Sequence, residues 1–401
     1  VTGPLYALGA FGASLLVQTL NLWLFPFYAG SPPRLAPEQV GLALAAGRLS
    51  NSLSDLLVAR WSDVVSTPWG RRRPFLLAGS PLLAACFLLV WVPPPDGVGL
   101  YLAAVLAAFF ALFAAVVNPY LALLGDLPST SAGRVLAAAW QAAGNLAGTA
   151  AAYALSGPLH LRFGYPTMAA AFGVVATACL WACAASVREP VTPTVRVPLP
   201  DALRVLALSH PLRAYLVGLG LSWVGLSMVS LVLVFAVTVL MELPTAQVPA
   251  VLLAALGSTA VCLPLVAAWG RRWGAQAALE ACLWLAAVFL PAVSLVGRFP
   301  LAPHVLGYGL VVLAGLPLAA LYALPNAILA QLASRHGLPA THFGVQGLVL
   351  NLSNAAAAAA VGFLLRFGNA PGHDLGLRLV PACAAALVAA GLWAFRRLSH
   401  S

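Results

Sequence analysis

The sequence predicts an all-α membrane protein of twelve spanning helices, divided into two six-helix halves. Three observations carry that expectation: the composition, the spacing of the apolar runs, and a motif that recurs between the halves. Of 401 residues, 62% are hydrophobic and 7% charged, against roughly a quarter charged in an ordinary soluble domain, so most of the chain is built to face lipid. A spanning helix takes about 20 mainly apolar residues. After loops are subtracted, this length accommodates about twelve of them.

The first apolar run, 4 to 29, lacks a basic leader and is long enough to span, so a cleaved signal peptide is not expected. Runs bounded by Pro, Gly and charge clusters then place spans at 38 to 60, 74 to 93, 98 to 125, 134 to 157 and 166 to 186. The stretch 187–211 carries Arg188, Glu189, Arg196, Asp201 and Arg204 among prolines, too polar and too broken for a membrane helix. It reads as a cytoplasmic linker between an N-terminal bundle, 1–186, and a C-terminal bundle, 212–401. The second set of spans runs at 212 to 241, 247 to 269, 275 to 297, 304 to 334, 341 to 366 and 376 to 396. Trp69-Gly70-Arg71-Arg72, after the second span, recurs as Trp269-Gly270-Arg271-Arg272 after the eighth. A motif at matched positions in both halves is the mark of a parallel repeat, an architecture that moves solutes by alternating access around a site near mid-membrane.

A net charge of +10 would suggest a polyanion partner in a soluble protein. Here every basic residue is Arg, and the arginines fall between apolar runs, so topology explains them and no nucleic-acid partner is expected. With both termini inside, fourteen arginines lie on inner ends and loops and five on outer ones, with Arg48 inside a span. That bias sets the orientation of a multi-pass protein of the inner (plasma) membrane. The six cysteines sit within apolar runs without ligand spacing, which indicates packing rather than a disulfide or a metal site.

A charged group inside a span costs about 2.5–3.5 kcal/mol on insertion scales, so those that persist are candidates for function. Arg48, Asn51 and Asp55 lie at spacings of three, four and seven on the second span, which puts them on one helical face. One reading is a structural ion pair, in which Asp55 neutralises Arg48 or a neighbouring helix. The other is a coupling site, because a carboxyl group in a partly dry passage loads and releases a proton as the passage opens to either side. At the inner ends of the spans, Asp63, Gly70, Arg71 and Arg72, with Asp126 and Arg134 on the next inner loop, suit a cytoplasmic latch in which Arg bonds helix C-terminal carbonyls and acidic partners. Topology anchoring alone would use the same arginines. Ser14, Gln18, Asn118, Gln141, Asn145, Gln346 and Asn351, with Tyr120, supply uncharged polarity within spans and are the candidate substrate contacts; for each, interhelical bonding is the competing role. Asn21, Asn326, Asn354 and Tyr322 add to the same set. No nucleophile elbow, phosphate loop or metalloprotease motif occurs in a fitting context, so no enzyme is expected.

Several stretches are shared with a known family: Gly9-Ala10-Phe11-Gly12, Arg60-Trp61-Ser62-Asp63 running to Trp69-Gly70-Arg71-Arg72-Arg73-Pro74-Phe75, Pro119-Tyr120 with Ala122-Leu123-Leu124-Gly125-Asp126-Leu127, Gly144-Asn145-Leu146-Ala147-Gly148 and Val345-Gln346-Gly347-Leu348-Val349. In these the chain resembles the glycoside-pentoside-hexuronide cation symporters of the major facilitator superfamily, which include melibiose-type carriers and are related to plant sucrose transporters. The resemblance implies the major facilitator fold and a cation role for Asp55. It also implies that Asn51 stands where the family has a second aspartate, Ser14 and Val117 where it has sugar-binding aspartates, and Asn351 where it has a lysine. Replacing one carboxylate by an amide weakens a sodium site more than it harms protonation of the other carboxylate, so H+ is the expected coupling ion rather than Na+.

Together these readings describe a monomeric secondary active transporter, a proton-coupled symporter of a small neutral solute such as a sugar or glycoside. Two alternatives remain: an uncoupled or exporting carrier of an amphiphile such as a lysolipid, and a transporter-like sensor that binds ligand without moving it.

Overall fold

Helices follow the apolar runs almost residue for residue. The computed structural model describes residues 2–30, 32–64, 70, 72–126, 131–186, 210–298, 300, 302–334 and 339–396. Among them are twelve long helices: α1 (Thr2–Ala29), α2 (Pro37–Val64), α3 (Arg73–Val90), α4 (Val98–Asp126), α5 (Ser131–Phe163), α6 (Tyr165–Ser186), α7 (His210–Leu231), α8 (Val248–Trp273), α9 (Ala275–Val293), α10 (Pro303–Ser334), α11 (Pro339–Leu365) and α12 (Leu375–Arg396). Among the described residues, ten of these are long and apolar enough to cross a membrane, and α2 and α5 are not in that set. The reason lies in their side chains: α2 carries Arg48, Ser50, Asn51, Ser52, Ser54 and Asp55, and α5 carries Gln141, Asn145 and Thr149 among alanines and glycines. Low hydropathy thus marks the two helices that bring the most polar groups into the first unit.

Beyond α7 the chain does not stop at Leu231. It breaks at Val232, resumes for Leu233–Phe235 and widens into a π turn at Ala236–Leu240, so the seventh apolar run is one interrupted span. Single glycines make two other junctions. Gly164 (φ +81°) separates α5 from α6, and Gly274 (φ +90°) separates α8 from α9, in backbone conformations that a side chain disfavours.

Two compact units result, Val1–Leu24 with Leu42–Val195, and Phe25–Gly41 with Arg196–Ser401. The segment 25–41, expected with the N-terminal bundle, groups with the second unit. There Asn369 Nδ2 donates to Ala29 O at 2.9 Å, and a Cβ on Gly41 would meet Gly362 Cα at 2.8 Å. The expected linker, 187–211, lies outside the described residues except for the first two positions of α7.

In the first unit, small residues let α1 and α5 approach backbone to backbone: a Cβ on Gly144 would strike Ala7 O, and one on Gly148 would strike Phe11 O. Without a hydrophobic drive between helices in lipid, such close packing and a few side-chain hydrogen bonds hold the bundle. The second unit repeats the device, with Gly218 of α7 against Gly391 O of α12.

Matching bonds extend the repeat beyond the arginine motif. Tyr6 of α1 donates to Tyr120 O, beside Pro119 of α4, at 3.4 Å, and Tyr215 of α7 donates to Pro325 O of α10 at 2.8 Å. Ser14 Oγ donates to Asn145 Oδ1 of α5 at 2.5 Å, and Trp223 Nε1 donates to Asn354 Oδ1 of α11 at 3.2 Å. Tyr6 and Tyr215, Ser14 and Trp223, and Asn145 and Asn354 are each 209 positions apart. In both units the first helix is therefore tied to the fourth and the fifth by the same kind of contact.

Candidate functional site

Midway along α2, Asp55 is half-buried and its carboxylate is held by two amides. Asn118 Nδ2 of α4 donates to Oδ1 at 2.7 Å, and Asn51 Nδ2, one turn back on α2, donates to Oδ2 at 3.1 Å. Asn51 is 8% exposed, and its Oδ1 is buried without a hydrogen-bond partner. Asn118, expected among the substrate contacts, is thus a ligand of the carboxylate. Its position on α4 follows from the packing of that helix on α2, where Ser50 Oγ donates to Ala107 O at 3.0 Å and Gly47 admits Phe110.

Arg48 does not neutralise Asp55, which corrects the ion-pair reading for this pair. Its Nη2 donates to Asn21 Oδ1 of α1 at 2.6 Å, and its guanidinium lies 4.4 Å from the ring centre of Phe110. The three residues share a helical face, but the long Arg side chain leaves it for α1, so the expected cluster divides in two. A cation over an aromatic face gains about 0.5–2 kcal/mol, and the Asn21 bond adds a charge-assisted contact. Asn21 was legible, since Ser14, Gln18 and Asn21 lie at spacings of four and three along α1. Phe110 was not, because nothing in the run Ala107-Ala108-Phe109-Phe110 distinguishes it from its neighbour.

The remaining candidate contacts fall into separate places. Ser14 and Asn145 bond each other between α1 and α5, while Gln18 and Gln141 are half-buried and make no hydrogen bond among the described residues. Tyr120 is 1% exposed, stacked on Tyr6 with ring centres 4.7 Å apart, and donates to Tyr6 O at 3.1 Å; it is a core residue here. In the second unit Gln346 is buried, its Oε1 2.7 Å from Tyr215 Oη, whose one hydrogen is shared between this oxygen and Pro325 O, and its Nε2 donates to Asn326 Oδ1 at 2.9 Å. Asn351 is half-buried on α11.

Of the latch residues, Arg71 and the side chains of Asp63, Asp126 and Arg134 lie outside the described residues. Gly70 adopts φ +108°, and Arg72 is buried just before α3. The next residue, Arg73, donates from Nε to Ala184 O at 2.7 Å and from Nη2 to Ala185 O at 3.3 Å. It satisfies the last carbonyls of α6, the kind of contact expected of an arginine in this loop. Arg378 holds the turn that follows α9, donating to Ser294 O and Val296 O at 2.7 Å while pairing with Asp374 at 2.8 Å.

The model of the MFS/sugar transport protein family matches residues 5–372. An uncharacterized symporter of Synechocystis is 29% identical over 134 residues, covering 30% of this chain and 24% of that protein, so the match spans about a quarter of its length. Among solved structures, a mutant of the nucleoside transporter NupG superposes with a TM-score of 0.77 at 11% identity, covering 98% of this chain and 99% of that one. A bacterial homolog to the human lysosomal transporter Spinster gives 0.72 at 12% identity, covering 100% and 96%. These likenesses show the fold, an all-α multi-pass membrane architecture of the major facilitator type. With the family match across most of its length, the chain belongs to the MFS/sugar transport protein family.

Proposed function

We propose that the chain is a proton-coupled symporter of a small neutral solute, a sugar or glycoside, with Asp55 as the group that takes up and releases the proton. The carrying observation is the buried Asn51 Oδ1, which has no hydrogen bond while its own Nδ2 is 3.1 Å from Asp55 Oδ2. In the charged state both amides donate to the carboxylate. On protonation Asp55 becomes a donor, and the same Asn51 amide offers the acceptor that this state needs. Amide donors on both carboxylate oxygens suit proton exchange better than sodium, which needs several oxygen ligands. The orientation proposed with this reading has both termini in the cytoplasm and the protein in the inner membrane. It acts as a monomer, without a nucleic-acid partner, and the Gly70–Arg72 loop with Asp63, Asp126 and Arg134 forms an inner latch.

A thermal-shift screen of purified protein against sugars, nucleosides and lysolipids selects the substrate, because a ligand that binds the folded state raises its stability. Uptake of the selected compound into proteoliposomes under an imposed pH gradient then tests coupling. Asp55→Asn is expected to abolish gradient-driven accumulation while sparing substrate exchange at equal pH. Accumulation by the variant at the wild-type level would refute the coupling role.

A further inference from the structure

One buried titratable side chain of the first unit has no part in the Asp55 cluster. His160, in the last turn of α5, is 8% exposed, and its Nδ1 lies 2.9 Å from Ser156 O. A carbonyl oxygen only accepts, so Nδ1 carries the hydrogen of the neutral ring, and any further proton has to enter at Nε2. Nε2 makes no hydrogen bond among the described residues.

Aromatic side chains from three other helices fix the ring. The Trp23 indole of α1 lies 4.1 Å from it between centres, tilted by 58°, and Tyr165 of α6 is stacked on it at 4.4 Å. Trp91, at the end of α3, stacks in turn on Tyr165 at 5.3 Å. Trp23 Nε1 donates to Ser156 Oγ at 2.8 Å, so the residue whose carbonyl holds the imidazole also holds the indole. Gly164 N donates to His160 O at 2.9 Å and fixes the turn into α6. Four helices thus meet around one imidazole. Trp23 is the last residue but one of α1 that groups with the first unit, so the contact fastens α1 just before the chain leaves that unit.

A second proton on this ring meets little that would compensate it. Trp23 and Trp91, presented by α1 and α3, do not ionise. The titratable group on α6 is Tyr165. On α5 it is Arg162, two residues on and exposed, with its guanidinium 5.2 Å from the Phe163 ring centre. Among the described residues no carboxylate pairs with His160. Burial opposes the added charge and Arg162 repels it, while the aromatic neighbours offset only a part of that.

We propose that His160 is a second proton-binding group, separate from Asp55, whose protonation loosens the clasp between α1 and the α5–α6 turn. In the unfolded chain histidine titrates near about pH 6.5 and takes up the proton more readily than it does in the folded clasp. The stability that the clasp contributes is therefore complete above about pH 6.5 and is lost as the pH falls through the titration of the folded ring.

Purified protein in detergent, without gradient or substrate, tests this by titration from about pH 8 to about pH 5, with tryptophan emission and unfolding temperature followed together. A protonated imidazole in contact with an indole quenches its emission. Wild-type protein is expected to lose emission in a step with its midpoint below about pH 6.5, and to unfold at a lower temperature once that step is passed. His160→Phe keeps an aromatic ring beside Trp23 and Tyr165, and His160→Asn keeps a donor for Ser156 O. Both are expected to lack the emission step and to show a smaller thermal loss over the same range. An emission step of wild-type size in both variants, equal thermal losses in all three proteins, or wild-type emission with no step in this range overturns the proposal. Asp55 is present in all three proteins, so its own titration cancels in the comparison, and the coupling role is tested separately by uptake.

Discussion

At Asp55 the electrostatic problem is to keep a carboxyl group inside a span without locking its charge. Two amides contribute there, each donating one hydrogen bond to the anion while carrying no charge of its own. A hydrogen bond to a charged group contributes about 1.5–3 kcal/mol, so the 2.7 Å bond from Asn118 should appear in stability. A double-mutant cycle of Asn118→Ala and Asp55→Ala, followed by thermal unfolding in detergent, is expected to give a coupling energy of about 1.5–3 kcal/mol. Additive losses would mean that the two side chains do not interact. The stripe of Asn51 and Asp55 was readable from helical spacing alone. That Asn118 completes it was not, because a contact between α2 and α4 depends on which small residue admits which neighbour, and Gly47 against Phe110 is decided in three dimensions.

Element boundaries were legible because lipid imposes them: an apolar run has to end where water begins, and Pro, Gly and Arg mark those points. The interruption in α7 was hidden, since the residues through Val232 and the π turn are as apolar as any span and the break leaves no compositional trace. Assignment of 25–41 to the second unit was hidden for a similar reason, as glycines at 41 and 362 are far apart in sequence. Where one glycine joins two helices, local conformation governs cost. Gly274 has nothing within 4 Å of an added Cβ, yet sits at φ +90° and ψ 146°. Gly274→Ala is therefore expected to cost about 1–3 kcal/mol from backbone strain alone, read as a lowered unfolding temperature with substrate binding retained. Arg378→Ala removes an ion pair and two carbonyl contacts at the end of α9. Its expected loss is about 2–3 kcal/mol, and a loss below about 1 kcal/mol would mean that water replaces the guanidinium.

Duplication organises the molecule more deeply than the arginine loops reveal, and its copies differ in ways that predict unequal energetics. Tyr6 and Tyr215 occupy matched positions, but their hydroxyls do not do the same work. Tyr6 makes one long bond, 3.4 Å, to Tyr120 O. Tyr215 bonds Pro325 O at 2.8 Å and Gln346 Oε1 at 2.7 Å, and Gln346 continues to Asn326. Deleting the Tyr215 hydroxyl leaves buried acceptors without a donor, a penalty of about 1–3 kcal/mol, whereas Tyr6→Phe keeps the ring stacked on Tyr120 and gives up a marginal bond. Tyr215→Phe is accordingly expected to lower stability by at least about 1 kcal/mol more than Tyr6→Phe. The two sites share no partner, so the double variant should sum the single losses to within about 0.5 kcal/mol. Denaturation of all four proteins in one detergent measures both expectations. Equal single losses would mean that the second unit's polar chain carries no special weight, and a non-additive pair would mean that the two sites are energetically coupled.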